Sequence, residues 1–500
     1  MKNQNNLKWY LSGLTIAFLG TSSFANGKAK EKDNCDKPNI LLILTDDLGY
    51  NDVGFNGSTD IKTPALDQLA KNGVVFTSAY VSHPFCGPSR ASIMTGRYPH
   101  VIGTPYNLRD DGTRPNLGVP VSETYISNVM QEAGYYTSVV GKWHLGFAPQ
   151  YHPNNRGFDE FYGFLAGGHD YFPDQFKQAY EKQLSEGRHP IREYIRPLVH
   201  NQDEVEETEY VTDALSREAV RIVNDAAERK QPFFMYLAYN APHVPLQAKK
   251  EDLEKFADIA DVDRRTYAAM VYAVDRGVEQ IVESLKKNGQ FENTLIVFLS
   301  DNGGNTDHGA SNDPLKGMKG DAWEGGYRTP MFFHYPNKLK AGMKFDTPVT
   351  SLDFYPTFAK IAGAKIPEAK KMDGKDMMGD LINGETNLKG RPVYLLRYRE
   401  GYADVGMRID DWKITRMGNE PWNLFKISDD LGEKKDMSYR HPDKLKEMVE
   451  MTEEWSKTHI RPLWVYSQKD LELWNSGVLP GYEGTFEVEK LVAPPSAVSE

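Results

Sequence analysis

Cysteine is nearly absent: two residues in 500, Cys35 and Cys86. That excludes a disulfide framework and a cysteine-rich zinc centre. A basic excess is also missing. The chain carries 59 Lys and Arg against 70 Asp and Glu, a net charge of −11. A general nucleic-acid binder draws its affinity from basic surface on phosphates, so no nucleic-acid partner is expected. The balance still permits a small basic pocket inside an acidic surface. After the N-terminus no apolar run reaches the roughly 18 residues of a membrane span. What is present is ordinary globular material, 40% hydrophobic and 26% charged. It is long enough for one large domain and a smaller one.

The first 25 residues read as a secretory signal peptide. Lys2 and Lys8 precede a mostly apolar stretch from Trp9 to Gly20, and Ser23-Phe24-Ala25 offers the small residues of a cleavage site. Residues 26–36 form a charged linker, and Cys35 sits too far past the apolar stretch to be a lipid-attachment site. Cleavage removes Lys2 and Lys8 and no acids, leaving −13. The mature protein is expected to be exported, to a periplasm or the medium.

Beyond residue 37 strands and helices alternate. The run Ile40 to Leu44 predicts a strand buried on both faces. Thr63-Pro64 opens a short helix closed at Asn72-Gly73, and strand Val74 to Phe76 follows. Helices are expected over Ser89 to Thr95 and Glu123 to Ala133, and a strand over Thr137 to Val140. Leu215, Ala219, Ile222, Val223 and Ala226 share a helical face ahead of strand Phe233 to Tyr239. A long amphipathic helix through Val271 and Leu285 stops at Asn288-Gly289, ahead of strand Leu295 to Leu299. This alternation predicts an α/β fold, a large mostly parallel sheet sandwiched by helices. The pattern changes near residue 385. Short strands at Val393 to Tyr398, Val405 to Ile409, Trp412 to Arg416 and Trp422 to Phe425, then a helix over Pro442 to Thr458, predict a small antiparallel C-terminal subdomain with one long helix. The expected organisation is a catalytic domain over 37–385, a subdomain over 386–487 and a tail over 488–500.

In such sheets ligands bind beyond the carboxyl ends of the strands. Four of those ends carry chemistry: Asp46-Asp47, Gly141-Lys142-Trp143-His144, Asn240-Ala241-Pro242-His243 and Ser300-Asp301-Asn302. One aspartate after a strand is commonly a cap or turn residue. Four such ends converging on one rim describe a catalytic centre. Asp46, Asp47, Asp301 and Asn302 offer only oxygen, which suits calcium or magnesium. Their mutual repulsion requires a cation. Lys142, His144 and His243 beside them suit a tetrahedral oxyanion, phosphate or sulfate. Cys86, at a helix start near Arg90, reads as an activated nucleophile with a lowered pKa or as a small buried hydrophobe.

The motif Cys86-Gly87-Pro88-Ser89-Arg90, followed by Met94-Thr95-Gly96, resembles the signature of the formylglycine-dependent (type I) sulfatases, in the alkaline-phosphatase-like superfamily. Gly141 to Gly146, Asp46-Asp47, Ala241-Pro242-His243, Asp301-Asn302-Gly303-Gly304, and Lys319-Gly320 leading to Glu324-Gly325-Gly326 match that family in order, over roughly residues 37–470. The resemblance implies that a maturation enzyme oxidises Cys86 to Cα-formylglycine, whose hydrated gem-diol attacks sulfur. It implies one calcium ion held by Asp46, Asp47, Asp301 and Asn302, with residue 86 or the sulfate completing the shell. Arg90 and Lys142 would stabilise the gem-diol, and His243 and Lys319 would contact the sulfate and leaving oxygen. His144 would take the proton whose loss expels sulfate. Glu324-Gly325-Gly326 reads as a structural turn positioning Lys319, and Lys316 as a pocket lysine or a solvated one.

The segment Arg156 to Phe164 and the spacing from Asn312 to Lys319 are similar to N-acetylgalactosamine-4-sulfatase-type enzymes and favour a sulfated carbohydrate. His169, Asp170 and His308 are candidate sugar contacts on the rim. Algal glycans (ulvan, carrageenan, fucoidan) lead the expected substrates. Glycosaminoglycans, simple aryl sulfates, phosphate mono- or diesters and a non-catalytic glycan-binding role are the rivals.

Overall fold

The computed structural model describes residues 37–109, 116–399 and 401–476. The expected signal peptide, linker, Cys35 and tail lie outside them. In chain order the strands are β1 (Asn39–Thr45), β2 (Val74–Phe76), β3 (Ala79–Tyr80), β4 (Tyr136–Lys142), β5 (Glu160–Phe164), β6 (Leu198–His200), β7 (Asp203–Val205), β8 (Phe233–Ala238), β9 (Thr294–Ser300), β10 (Met331–His334), β11 (Met343–Phe345), β12 (Val349–Thr350), β13 (Val393–Arg399), β14 (Tyr402–Ile409), β15 (Trp412–Arg416) and β16 (Asn423–Lys426).

Ten strands form one sheet in the order β11-β2-β10-β9-β1-β8-β4-β5-β6-β7. Its centre, β9-β1-β8-β4, is entirely parallel, with Thr45 opposite Ser300 and both Leu44 and Gly141 opposite Ala238. The four expected strand ends are thus four adjacent strand ends, each about 5 Å from the next.

The apolar runs are continuous because both faces are covered. Ile40, Leu42 and Leu44 enter a core that includes residues of helices Cys86–Thr95, Ile126–Glu132 and Phe354–Ala362. Leu41 and Ile43 point the other way, toward helices Val211–Arg229 and Val262–Lys287. This is the expected sandwich. No helix among the described residues is long and apolar enough to cross a membrane.

Strands β13 to β16 form a separate antiparallel sheet. Leu395 joins the core of the main sheet, whereas Leu396 and Tyr398 face helix Pro442–Ser456. Tyr106 and Leu108, from the N-terminal part of the chain, enter that second core. The smaller sheet is therefore welded to the larger layer.

Two helix starts differ from expectation. The helix expected at Ser89 begins at Cys86, because Pro88 falls in its first turn, where a missing N–H costs nothing. The helix expected from Glu123 begins at Ile126, where Tyr125 and Asn128 form a capping box.

Candidate active site

The earlier helix start puts Cys86 at the first helical position, at the mouth of the parallel strands. Asn107 Oδ1 accepts the Gly87 N–H at 2.9 Å and so fixes this helix end. Lys142 leaves β4 just after Gly141, whose φ is +109° and where a Cβ would lie 2.0 Å from the Ala238 carbonyl oxygen. Only glycine lets β4 pass β8 that closely. Asp47 and His144 are both at φ +63°, uncommon for non-glycine residues and typical of functional sites.

Opposite charges interlock at the strand ends. The ammonium of Lys142 bonds Asp46 Oδ2. Arg90 donates from Nε to Asp301 Oδ2 at 2.9 Å and from Nη1 to the Lys142 carbonyl at 3.0 Å. Lys319 Nζ donates to Asp47 Oδ2 at 2.8 Å and lies 3.8 Å from Cys86 Sγ. His243 Nε2 is 3.8 Å from Asp47 Oδ2. Asn302 Nδ2 donates to Asp47 Oδ1 at 2.7 Å.

Three oxygens are left over: Asp46 Oδ1, Asp301 Oδ1 and Asn302 Oδ1 are buried without a hydrogen-bond partner. Carboxylate oxygens of Asp46, Asp47 and Asp301 all come within 4.8 Å of one another. Burial alone would raise the Asp46 carboxyl, but Lys142, His243, Arg90 and Lys319 together hold it well below the carboxylate range. Burial, then repulsion from Asp46, pushes Asp301 up to about 6. Orphaned oxygens on a strained carboxylate pair fit a hard cation, and the donor set is the oxygen-only one calcium prefers.

Cys86 corrects one expectation. Burial pushes its thiol up to about 11, against the pull of Lys142 and Lys319. Arg90 also interacts with the thiol, but burial outweighs all three cations. An unmodified thiol here is protonated and a poor nucleophile.

His144 Nε2 donates to the Leu108 carbonyl at 2.9 Å, because a carbonyl can only accept, and so Nε2 carries the proton. Burial, followed by Lys142 and Arg90, lowers its pKa well below the ordinary value. It is therefore a neutral imidazole whose Nδ1 is buried and unpartnered, poised to accept a proton. Neither Asn107 nor Leu108 carries a motif. They lie on a loop that folding brings to the site, so no local signal could have revealed them.

The three candidate sugar contacts separate. His169 is buried, and its Nδ1 and Nε2 face the Asp170 and Arg196 carbonyls at 2.6 and 2.8 Å. Both ring nitrogens are occupied, so it is a structural histidine between Phe164 and Phe176 rather than a sugar contact. Asp170 pairs with Arg192, whose guanidinium lies 5.8 Å from the Tyr194 ring. Tyr194 in turn sits 6.3 Å from the His243 ring, which places this group at the cleft edge. His308 ends a short 3-10 turn with Nδ1 3.0 Å from the Asn305 amide. Lys316 lies 3.4 Å over the Trp323 ring and does not enter the pit. A cavity of about 800 Å³ lies elsewhere, between Phe147, Phe164, Tyr180 and Ile191.

The Glu324-Gly325-Gly326 turn holds the Lys319 loop, as expected. The Gly325 N–H donates to the Lys316 carbonyl at 2.7 Å and the Gly303 N–H to the Gly326 carbonyl at 3.0 Å. Glu324 itself centres a second buried ionic cluster. Lys413 lies 3.0 Å from its Oε1, and Tyr80 and Arg328 donate to its Oε2 at 2.7 and 3.0 Å.

A family model described as "Sulfatase" matches residues 38–364. The chain belongs to the sulfatase family. It is accordingly a sulfuric ester hydrolase. Residues 319–460 match a second model, "N-sulphoglucosamine sulphohydrolase, C-terminal". The chain is 36% identical over 409 residues to the uncharacterized sulfatase YdeN of Escherichia coli, covering 71% of this chain and 68% of that one. It is 29% identical over 504 residues to the N-acetylgalactosamine-6-sulfatase of Mus musculus, covering 93% and 94%. Among solved structures, Ps i-CgsB in complex with k-i-k-neocarrahexaose shares 53% identity with a TM-score of 0.88, covering 90% of this sulfatase and 100% of that chain.

Proposed function

We propose that this sulfatase is an exported, calcium-dependent enzyme that removes sulfate from a sulfated algal galactan of the carrageenan class, after a maturation enzyme converts Cys86 to formylglycine. The observation that carries the substrate is the 53% identity with a protein solved with a neocarrahexaose bound. A glycosaminoglycan is the second reading, favoured by the likeness to the mouse N-acetylgalactosamine-6-sulfatase over nearly the whole chain. Export rests on the apolar stretch from Trp9 to Gly20 and the small residues after it.

When present, formylglycine at residue 86 supplies a hydrated aldehyde as an oxygen nucleophile that releases sulfate by re-forming its carbonyl. Calcium would be held by Asp46, Asp47, Asp301 and Asn302, three of which keep a buried oxygen without a hydrogen-bond partner, and would draw charge from the sulfate oxygens. Lys142 and Lys319 place ammonium groups near residue 86, where they would offset negative charge at the attacking oxygen and the sulfate. Arg90 holds Asp301 and the end of β4 in place. His144, neutral with a free Nδ1, accepts a proton beside residue 86. His243 would contact the sulfate and the leaving oxygen. Its Nδ1 faces the Val244 carbonyl at 2.7 Å, which orients the ring.

Sulfate release measured on carrageenan, ulvan and chondroitin sulfate oligosaccharides, with nitrophenyl phosphate as control, tests the reading. Carrageenan is expected to lead, and preference for phosphate would overturn it. Mass spectrometry of the peptide bearing Cys86 is expected to show the aldehyde. An unmodified thiol in active enzyme from the native host would refute the mechanism.

A further inference from the structure

Arg397, on β13 of the C-terminal sheet, has no ion-pair partner of its own among the described residues. Its Nη1 donates to the Gly320 carbonyl, and its guanidinium carbon lies 4.5 Å from the centre of the Phe85 ring. Among the described residues no carboxylate lies within 4 Å of it. Its neighbour Arg399 shows the ordinary alternative, since Arg399 pairs with Asp404 and sits 3.7 Å from Asp321. A half-buried guanidinium normally has an anionic partner, because desolvating a charge without one is costly. Burial and then Arg399 lower the Arg397 pKa, and Asp404, already paired with Arg399, offsets this only in part.

The position of that charge is specific. Phe85 directly precedes Cys86, and Gly320 directly follows Lys319. The Gly320 N–H donates to the Pro84 carbonyl at 3.1 Å, so the two segments are tied together where Arg397 meets them. Tyr466, whose hydroxyl accepts the Asn107 N–H at 3.1 Å, lies within electrostatic reach of both Arg397 and Arg109. Arg109 lies 5.5 Å from the Tyr466 ring and is exposed. One flank of the pit is thus a pair of arginines around a tyrosine.

We infer that Arg397 binds a second sulfate group of the substrate, on a sugar next to the one being desulfated, and so selects multiply sulfated chains. This rests on the sulfated-glycan reading above. Its planar fork has donors to spare beyond the Gly320 carbonyl, and a sulfate offers the matching pair of oxygens. Because Arg397 comes from the C-terminal sheet, that sheet contributes directly to specificity. Arg109 adds a solvent-exposed, salt-screened attraction on the same flank.

The test uses the mature enzyme and a mixed kappa–iota neocarrahexaose. Arg397→Gln is expected to raise KM by about 10-fold or more with kcat within about 2-fold, with the KM less dependent on ionic strength than in the wild type. Arg397→Lys, which keeps the charge but not the fork, is expected to recover part of the loss and guards against a folding defect. Unchanged KM and salt dependence in Arg397→Gln would overturn the inference. So would a fall in kcat at constant KM, which would mean that Arg397 only positions Gly320 and Lys319. A uronate-containing chondroitin sulfate hexasaccharide is the second arm, and a KM penalty confined to it would assign the partner as carboxylate and overturn the sulfate assignment. Failure of the wild type to release sulfate from any of these glycans would refute the function itself, a result distinct from the others.

Discussion

Two buried ionic clusters lie within one loop of each other, and they solve the cost of burying charge in opposite ways. Around Glu324, burial alone would raise the carboxyl, but Lys413, Arg408 and Arg328 outweigh it and hold the group ionised. Lys413 lies 2.8 Å from Glu433 Oε1, and Glu433 Oε2 accepts the Glu324 N–H at 2.7 Å, so the cluster closes on itself across the two sheets. Around Asp46 the cations are as numerous, yet Oδ1 of Asp46, Asp301 and Asn302 are buried with no hydrogen-bond partner, whereas Glu324 Oε1, which also lacks a hydrogen bond, has the Lys413 ammonium 3.0 Å away. A closed cluster has spent its charges on fold. An open one retains them for a ligand. The two are joined, since the closed cluster anchors the turn whose amides hold the Lys319 loop.

The contrast makes ranked predictions. Cys86→Ala is expected to lower kcat by at least about 10³-fold while the melting temperature stays near that of the wild type. A large loss of stability would show that residue 86 is structural. Asp301→Ala is expected to weaken calcium binding, read by calorimetry, by at least the about 10- to 100-fold that outer-shell substitutions cost. Added calcium should raise the melting temperature of the wild type and not of this variant. Equal calcium shifts in both would remove the cation from the open cluster.

Lys413→Met reverses the pattern. Breaking a buried pair leaves Glu324 and Glu433 facing each other, at a cost of about 3–5 kcal/mol in denaturant unfolding, with calcium affinity retained. A loss of calcium affinity with little change in stability would dissolve the distinction between the clusters. The smallest effect concerns Asp275, a buried carboxylate with no cation partner among the described residues. Burial pushes it from its ordinary 3.8 up to about 7, against the N–H bonds it accepts from Leu66 at 2.8 Å and Ala65 at 3.2 Å. The folded state therefore holds this proton to higher pH than the unfolded chain does. Its contribution to stability is full below the unfolded pKa and declines as pH rises toward about 7. Asp275→Asn is expected to flatten the slope of melting temperature against pH in that window. An unchanged slope would place the linkage on other groups.

The strand run Ile40 to Leu44, the four strand-end motifs and the cysteine motif were all legible in the sequence, because each is a local pattern whose chemistry or periodicity is carried by neighbours in the chain. Three things were not. The pKa of Cys86 depends on burial under loops from other parts of the chain. The proton position on His144 depends on a carbonyl at Leu108. The fate of His169 depends on two carbonyls that occupy both its nitrogens, although its Gly-rich loop reads as an exposed rim. Sequence by itself determined the family, the central parallel strands and the ligand types at their ends. Only the tertiary structure decided which charges are spent on the fold and which remain free, because that is settled by contacts between segments hundreds of residues apart. Arg397, without an ion-pair partner of its own among the described residues, is the clearest instance: in the sequence it is one arginine among many, and only its place beside Phe85 and Gly320 gives it a role.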